Sequence, residues 1–289
     1  MSNQILWSKG PFITQYSRIE TEKITSYYKI KQLIHSANGA LWIRNTSKSK
    51  RQPTDLDFVA MNIGIINKPT ILITTDGDRS VPSSYNIKTV QIILNHPYIT
   101  EWYTQNYDRT IVHPKLKYIP IGFDFHTKKW LINDSINEKL LFMQRQKITK
   151  IKNKIFSDTH HSKTHVERTK LYNTLINNKN IDFLESKKSF IEITNLYNKY
   201  LFVISPRGAG FDCHRTWELF MAGCIVIVKT SPLDNMYVNN NLPVVILQDW
   251  EELNSDIENK LNIWETKYIQ KTAIENIYPR LMFSHWVKT

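Results

Sequence analysis

Apolar and polar segments follow one another without a gap in the most informative stretch of the chain. Residues 201–204 are all apolar, which is typical of a buried strand, and residues 206–210 (PRGAG) contain the proline and glycines of a loop. Residues 212–222 have the mixed spacing of a helix, and residues 226–228 begin a second apolar strand. The pattern predicts a β-loop-α-β unit, in which the loop and the start of the helix offer N–H groups to an anion.

Short apolar runs separated by polar segments continue through the rest of the chain and indicate the α/β class. In the first half, strands are predicted at residues 40–43, 58–61, 70–74, 88–94 and 117–120, with helix and linker over residues 123–145. In the second half, strands are predicted at residues 154–157, 181–184 and 244–247, helices at residues 168–176 and 191–198, and a largely helical tail. Such alternation favours parallel sheets, so we expect two Rossmann-like domains, residues 1–145 and 146–289.

Composition narrows the class of protein only slightly. The chain has 289 residues and is 41% hydrophobic, which is enough for one large or two modest cores. No apolar run reaches the roughly 18 to 20 residues of a membrane span, and residues 1–10 lack a hydrophobic signal core. A soluble, cytoplasmic protein of microbial or viral origin is expected. Cys213 and Cys224 fit neither a disulfide framework nor a zinc or redox spacing, so they are expected to be packing residues.

The formal net charge of +12 raises the question of an anionic partner. Many lysines are dispersed among asparagine and isoleucine. The densest run, residues 147–154 (KITKIKNK), alternates charge with isoleucine and is interpreted as a solvated helix or strand edge. No zinc-finger spacing or RNP-type strand accompanies it, so no nucleic-acid partner is expected.

Several motifs occur together in a recognisable order. In the C-terminal half these are SPRG at 205–208, DCHRTWE at 212–218, GCI at 223–225 and SPLD at 231–234; in the N-terminal half they are ITTDGDRSVP at 73–82 and the stretch from Asn106 to IPIG at 119–122. They resemble the exostosin-like glycosyltransferases over roughly residues 70 to 250. The resemblance implies a GT-B-like architecture of two Rossmann-like domains facing a central cleft. It also implies a nucleotide-sugar donor, a glycan or other hydroxyl acceptor, and usually inversion at the anomeric carbon; no cofactor and no particular sugar is implied.

A nucleotide-sugar donor carries a diphosphate, so its site needs fixed cations and backbone N–H donors. The residues of the motif that suit this demand are Ser205, Arg207, Gly208, Gly210 and Arg215. The alternative for Arg215 is an ion pair with Glu218 or Asp212 at the start of the helix.

Other polar residues of the motif have a ligand-binding and a structural interpretation side by side. Glu218 lies on the same helix face as Arg215 and either accepts the ribose hydroxyls or forms an ion pair. Asp212 either caps the helix or contacts the ligand, and a neutral His214 can bond a phosphate oxygen or a sugar hydroxyl. Ser231 follows the next strand, where it either faces the same ligand or belongs to an ordinary Ser-Pro-Leu-Asp turn.

Inverting transfer requires a general base near the acceptor hydroxyl, which in a two-domain enzyme is expected from the N-terminal half. Asp78 and Asp76, directly after the predicted strand at residues 70–74, are the first candidates, and His96 is a further one. The same Asp-Gly-Asp also matches the DxD pattern that holds Mn²⁺ in GT-A transferases, although the match is only three residues long.

Three function classes follow. The leading hypothesis is a metal-independent glycosyltransferase in which the helix start, Arg207 and Arg215 stabilise the departing nucleoside diphosphate. The second is a GT-A-like transferase that depends on DxD and Mn²⁺, and the third is a non-catalytic protein that binds a nucleotide sugar or a glycan. A dinucleotide enzyme is disfavoured, because the loop lacks the third glycine of the GxGxxG fingerprint and comes late in the chain.

Overall fold

The chain folds into two compact α/β units. The computed structural model describes residues 5–8, 26–45, 53–125, 145–146 and 148–288. By their contacts, the first unit comprises Met1–Ile121, Gly210–Asp212 and Met282–Thr289, and the second comprises Gly122–Ala209 and Cys213–Leu281. The predicted domain boundary at residues 145 and 146 borders residues 126–144, which lie outside the described part, as does most of the helix and linker predicted over residues 123–145.

The first unit is built on a four-stranded parallel sheet. Its strands are β1 (Ala40–Arg44), β2 (Thr70–Thr75), β3 (Ile99–Thr104) and β4 (Leu116–Tyr118), hydrogen-bonded in the order β1-β2-β3-β4. Its helices are α1 (Tyr27–Ser36), α2 (Asp55–Met61) and α3 (Ile87–Asn95). Ile30, Val59 and Val90, one from each helix, belong to one buried cluster with Leu72 and Trp102 of the sheet. The helices therefore cover one face of this sheet.

Two strands that the sequence predicts in this unit are helices, so those predictions are wrong. Residues 58–61 fall in α2, which begins with a capping box: the Thr54 hydroxyl accepts the Asp57 N–H, and the Asp57 carboxylate accepts the Thr54 N–H. Residues 88–94 fall in α3, where Val90, Ile93 and Leu94 are buried. That spacing of three and four is helical, and the short apolar run hides it. The strand β3 was not predicted.

The second unit is built on a five-stranded parallel sheet. Its strands are β5 (Ile151–Ser157), β6 (Ile181–Phe183), β7 (Tyr200–Ile204), β8 (Ile225–Lys229) and β9 (Val244–Leu247). Its helices are α4 (Val166–Leu175), α5 (Phe190–Lys199), α6 (His214–Met221), α7 (Asp234–Asn239), α8 (Ile257–Tyr268) and α9 (Ile274–Ile277). The elements predicted in this half are all present, and the predicted α/β class with two Rossmann-like parallel sheets is confirmed.

The strand order of the second sheet, β6-β5-β7-β8-β9, fixes where a ligand belongs. The next strand in the chain, β6, pairs with one side of β5. The chain then crosses over β5, and β7 pairs with its other side. In an open parallel sheet, the crevice between two such strands, at their carboxyl ends, is the usual ligand site. This switch point lies between β5 and β7.

The lysine-rich run leads into this sheet through the first half of β5. Residues 151–153 are exposed, and β6 pairs with β5 only from Ile155 onward, so this half of the strand has a neighbour on the β7 side alone. This agrees with the interpretation of the run as a solvated strand edge. Lys150 is half-buried, and its Nζ donates to the carbonyls of Tyr197, Asn198 and Tyr200 at the end of α5. Burial lowers the pKa of Lys150. Its role is to satisfy helix-end carbonyls.

The C-terminal residues return to the first unit. The last helix, α10 (Phe283–Trp286), belongs to it, and Met282 forms an antiparallel bridge with Ile5. Of the helices that the structure describes, not one combines the length and apolar character needed to cross a membrane.

Candidate functional site

Buried polar residues gather at the carboxyl edge of the second sheet, beside the switch point. Asp158 follows β5 directly and is 8% exposed. Its Oδ2 accepts the Tyr197 hydroxyl at 3.0 Å and the Arg215 Nη2 at 3.1 Å, and the Arg215 Nε donates to the Tyr197 oxygen at 3.1 Å. The three side chains form a closed triangle of hydrogen bonds around one ion pair.

Arg215 is therefore held by a residue that the sequence analysis did not consider. Its predicted alternative partners were Glu218 and Asp212, whereas the observed partner is Asp158. Burial by itself lowers the pKa of Arg215, but the Asp158 carboxylate and the Tyr197 oxygen outweigh it, so the pKa is raised. A diphosphate would have to share this arginine with a buried carboxylate.

A second arginine lies beneath the loop that follows β7. Arg168, in the first turn of α4, is 6% exposed, and its Nε donates to the Arg207 carbonyl at 3.0 Å. A Cβ at Gly208 would lie 3.3 Å from the Arg168 Nη2, so glycine allows the loop to approach the guanidinium. Burial and then the charge of Arg215 lower the pKa of Arg168, which indicates a positive potential here.

Arg207 and His165 extend this positive region. The Arg207 Nη2 donates to the Ala209 carbonyl at 3.2 Å within the same loop, and burial lowers the pKa of Arg207. His165 precedes α4, and its Nδ1 accepts the Glu167 N–H at 3.2 Å. Burial and then the charge of Arg207 lower the pKa of His165. The loop after β7 and the start of α4 thus bring Arg168, Arg207 and His165 together, with the Glu167 carboxylate acting on both Arg207 and His165.

The start of α6 differs from its prediction. The helix begins at His214 and its N-cap is Cys213, whose side chain forms no capping hydrogen bond in the described structure. Asp212 is instead fixed within the first unit, where its Oδ2 accepts the Ile121 N–H at 2.7 Å and its own N–H donates to the Asn106 Oδ1 at 2.9 Å. The proposed capping role of Asp212 is therefore wrong, because its carboxylate is directed to another strand end.

His214 is oriented by a backbone carbonyl. Its Nδ1 lies 2.8 Å from the Gly122 oxygen, which can only accept, so Nδ1 carries a proton. In that tautomer Nε2 is the acceptor nitrogen of the ring.

The remaining predicted donor residues are buried or half-buried. Ser205 is 4% exposed, and its hydroxyl shares a hydrogen bond of 2.9 Å with the Thr216 hydroxyl. Glu218 is half-buried on α6, on the same helix as Arg215. Ser231 lies in a turn after β8, where its N–H donates to Asp234 Oδ1 at 2.9 Å, as the ordinary-turn interpretation expects.

Asp76 and Asp78 lie on the loop that leaves β2 at the carboxyl edge of the first sheet. Asp76 has a left-handed φ of 59° and its N–H donates to the Gln105 side chain. The Gly77 carbonyl between the two aspartates accepts from the side chains of Gln105 and Asn106, both of which follow β3. The aspartate loop is therefore shaped by amide side chains from the neighbouring strand end.

His96 is not brought to this loop. It is the C-cap residue of α3, which carries the chain from the end of β2 to the start of β3, so it lies at the amino edge of the same sheet. Lys115 Nζ donates to its carbonyl at 2.8 Å, and burial, then the Lys115 charge, lower the pKa of the His96 imidazole. The structure unites Asp76 with Asp78 and leaves His96 apart.

Gly210 allows Asn106 to perform two bonding roles at once. A Cβ at Gly210 would lie 2.7 Å from the Asn106 Nδ2 and 2.8 Å from its Oδ1, closer than a Cβ tolerates. We expect Gly210→Ala to displace Asn106, which bonds both Asp212 and the aspartate loop, and to cost about 1 to 3 kcal/mol of stability by overpacking. Urea unfolding of the full chain measures this loss.

The matched control is Gly64→Ala, because a Cβ at Gly64 has open space around it. It should leave the unfolding midpoint nearly unchanged. Equal midpoints for the two variants would contradict the role given to Gly210.

Sequence analysis missed three residues of the site for one reason. Asp158, which follows β5, and Arg168 and Tyr197, on α4 and α5, lie far along the chain from the motif. One signal was present: Asp158 directly follows the strand predicted at residues 154–157, much as Asp76 follows the one predicted at residues 70–74. Cysteine, histidine and carboxylate side chains form no group of three that could hold a metal ion among the described residues.

No protein-family model and no curated protein sequence matches the chain. Among solved structures it is similar to the UDP-forming α,α-trehalose-phosphate synthase of Burkholderia vietnamiensis, with 9% identity and a TM-score of 0.45 over 88% of this chain and 74% of that one. It is also similar to WaaG, a glycosyltransferase involved in lipopolysaccharide biosynthesis, with 9% identity and a TM-score of 0.37 over 90% and 95%. A third similarity is to the pneumococcal O-GlcNAc transferase GtfA in complex with UDP and GlcNAc, with 11% identity and a TM-score of 0.32 over 79% and 56%. Because these identities and TM-scores are low, we infer the function from the residues at the carboxyl edges of the two sheets.

Proposed function

We propose that the protein is a glycosyltransferase of GT-B type, which moves a sugar from a nucleotide-sugar donor to a glycan or other hydroxyl acceptor. The observation that carries this proposal is the meeting of Arg168, Arg207 and the start of α6 at the switch point of the second sheet. Cations and helix N–H groups at such a point suit a diphosphate. The exostosin-like motif supports the same assignment.

The donor would lie along the carboxyl edge of the second sheet. Arg207, Arg168 and the amides of Gly208 and of the first turn of α6 would hold the diphosphate, and Glu218 would accept the ribose hydroxyls. Arg215 would act chiefly through its ion pair with Asp158, which keeps the start of α6 in place.

Bond cleavage leaves negative charge on the departing nucleoside diphosphate. Fixed guanidinium groups and helix N–H groups stabilise this charge as it develops, without reorganising. A carboxylate of the first unit, Asp78 or Asp76, would take the proton of the acceptor hydroxyl. Direct attack by that hydroxyl on the anomeric carbon would invert its configuration, and this scheme uses no metal.

A second candidate is a transferase that depends on Mn²⁺. It is favoured by one observation: Asp76 and Asp78 flank a glycine on a loop of fixed shape, as a DxD site requires. The third candidate, a non-catalytic protein that binds a nucleotide sugar or a glycan, uses the same donor residues without turnover.

A panel of nucleotide sugars tests the proposal. UDP-glucose, UDP-galactose, UDP-N-acetylglucosamine, UDP-glucuronate and GDP-mannose are each screened by thermal shift, since a ligand that binds only the native state raises its apparent stability. Release of nucleoside diphosphate from a radiolabelled donor then separates enzyme from binding protein. Binding without turnover leaves the third candidate, and no binding of any donor contradicts both transferase candidates.

Arg207→Ala is expected to weaken binding of the nucleoside diphosphate by about 1.5 to 3 kcal/mol, or roughly ten- to a hundredfold, because a charge-assisted hydrogen bond is lost. Calorimetry with UDP or GDP, whichever the panel selects, measures the change. Lys187→Ala removes an exposed cation of the same unit and should leave the affinity as it is. Equal affinities for both variants would refute the role of Arg207.

A further inference from the structure

A cavity of about 680 Å³ opens in the second unit, away from the carboxyl edge of its sheet. It adjoins the turn between the end of α4 and the start of β6, which lies at the amino edge. The lining residues on which the argument rests are Asn177, Asn178, Lys179, Asn180, Asp256 and Glu258. The volume falls within the usual range for small-ligand sites.

Side-chain amides dominate this cavity, and one of them is rigidly fixed. The Asn178 Nδ2 donates to the Leu253 carbonyl at 2.7 Å, and its Oδ1 accepts the Asn180 N–H at 2.9 Å. These bonds tie the turn to the short helix Trp250–Asn254. The wall of the cavity therefore has a defined shape.

Neighbouring amides keep hydrogen-bonding capacity. The side chains of Asn177 and Asn180 form no hydrogen bond with another residue of the described part of the chain. Each offers one acceptor oxygen and two N–H donors, the combination that pairs with adjacent hydroxyl groups. Leu253 and Ile257 are buried in the core beneath this wall, so the surface open to a ligand is almost entirely polar.

Charge argues against an anionic ligand here. Lys179 is opposed by Asp256 and Glu258, so the lining is not cationic although the chain carries a formal charge of +12. A phosphate or sulfate group would find no cluster of cations. A neutral molecule with many hydroxyl groups matches the amide-rich lining best.

We propose that this asparagine-lined cavity binds a neutral oligosaccharide, at a site separate from the one that would hold the donor. The amides of Asn177 and Asn180 would bond the sugar hydroxyls. The site does not depend on the proposed transferase activity, since binding needs no donor.

Titration with saccharides in the absence of nucleotide sugar tests this site. Maltohexaose, chitohexaose and a heparin hexasaccharide are each titrated against the full chain by calorimetry and by saturation-transfer NMR. We expect at least one neutral hexasaccharide to bind in the millimolar range and the heparin fragment to bind more weakly at this site. A saturating nucleoside diphosphate should leave neutral binding intact.

The double variant Asn177→Ala/Asn180→Ala should weaken that binding by about tenfold or more, because two sets of hydrogen bonds are lost. Asn239→Ala, an exposed asparagine on α7, is the matched control and should bind as the unmodified protein does. Circular dichroism melting confirms that both variants fold. The proposal is overturned if neither neutral hexasaccharide binds, or if binding survives the double variant.

Discussion

Arg215→Ala is expected to lower the free energy of unfolding by about 3 to 5 kcal/mol, because it leaves the buried Asp158 carboxylate without its cation. Asp158 is 8% exposed, and its Oδ2 accepts hydrogen bonds from both Arg215 and Tyr197. Removing one member of such a network costs the desolvation of the group left behind as well as the bond. Urea unfolding of the full chain, followed by tryptophan fluorescence, measures the loss.

Two further variants separate the ion pair from general packing. Tyr197→Phe removes one hydroxyl from the same triangle and should cost only about 1 kcal/mol. The double variant Asp158→Ala/Arg215→Ala should be more stable than the sum of its single changes predicts, because it leaves no unpaired charge. If Arg215→Ala proves as stable as Tyr197→Phe but loses affinity for a nucleoside diphosphate, Arg215 is a donor ligand rather than a structural residue.

Asp78→Asn is expected to reduce turnover by about 100-fold or more while leaving donor affinity nearly unchanged, if Asp78 is the general base. The interaction that a base provides forms mainly in the transition state, so its loss does not weaken binding of the ground state. Initial rates with the donor identified from the panel, together with calorimetry, give both quantities. Glu185→Gln, an exposed carboxylate of the second unit, is the control that should change neither.

The same variant also tests the metal-dependent alternative. If Asp76 and Asp78 hold Mn²⁺, then Asp78→Asn should weaken donor binding, and EDTA should abolish turnover by the unmodified protein. Asp76→Asn is measured beside it, with and without EDTA. Full activity of both variants would remove the aspartate loop from the mechanism, and His96→Ala would be the next variant to test.

Sequence patterns were most informative where local chemistry and burial agree. The apolar run at residues 201–204 and the polar helix start after it identified β7 and α6, because both faces of that strand are buried. Short runs were less reliable: residues 58–61 and 88–94 are apolar enough for strands, yet capping by Thr54 and Asn86 makes them helices. In both cases a capping hydrogen bond before the apolar run favoured a helix over a strand.

In the candidate site, too, local sequence identified some residues and could not identify others. Arg207, Gly208 and Glu218 could be selected from the motif because they lie within a few residues of a strand end or a helix start. Arg168 could not, since its bond to the Arg207 carbonyl joins residues that are distant in sequence. Asp212 was expected to cap α6 because its position suited a cap, but the Ile121 N–H competes for its carboxylate.

The sequence by itself determined that the chain is α/β with two parallel-sheet halves, and it located the loop between β7 and α6, because strand burial and helix starts depend on neighbouring residues. Only the tertiary structure decided that the switch point lies between β5 and β7, that Arg215 pairs with Asp158, and that Asp76 and Asp78 lie at the edge opposite His96. Strand order and ion-pair choice depend on which distant segments share a sheet edge, and that is settled by the packing of the whole unit.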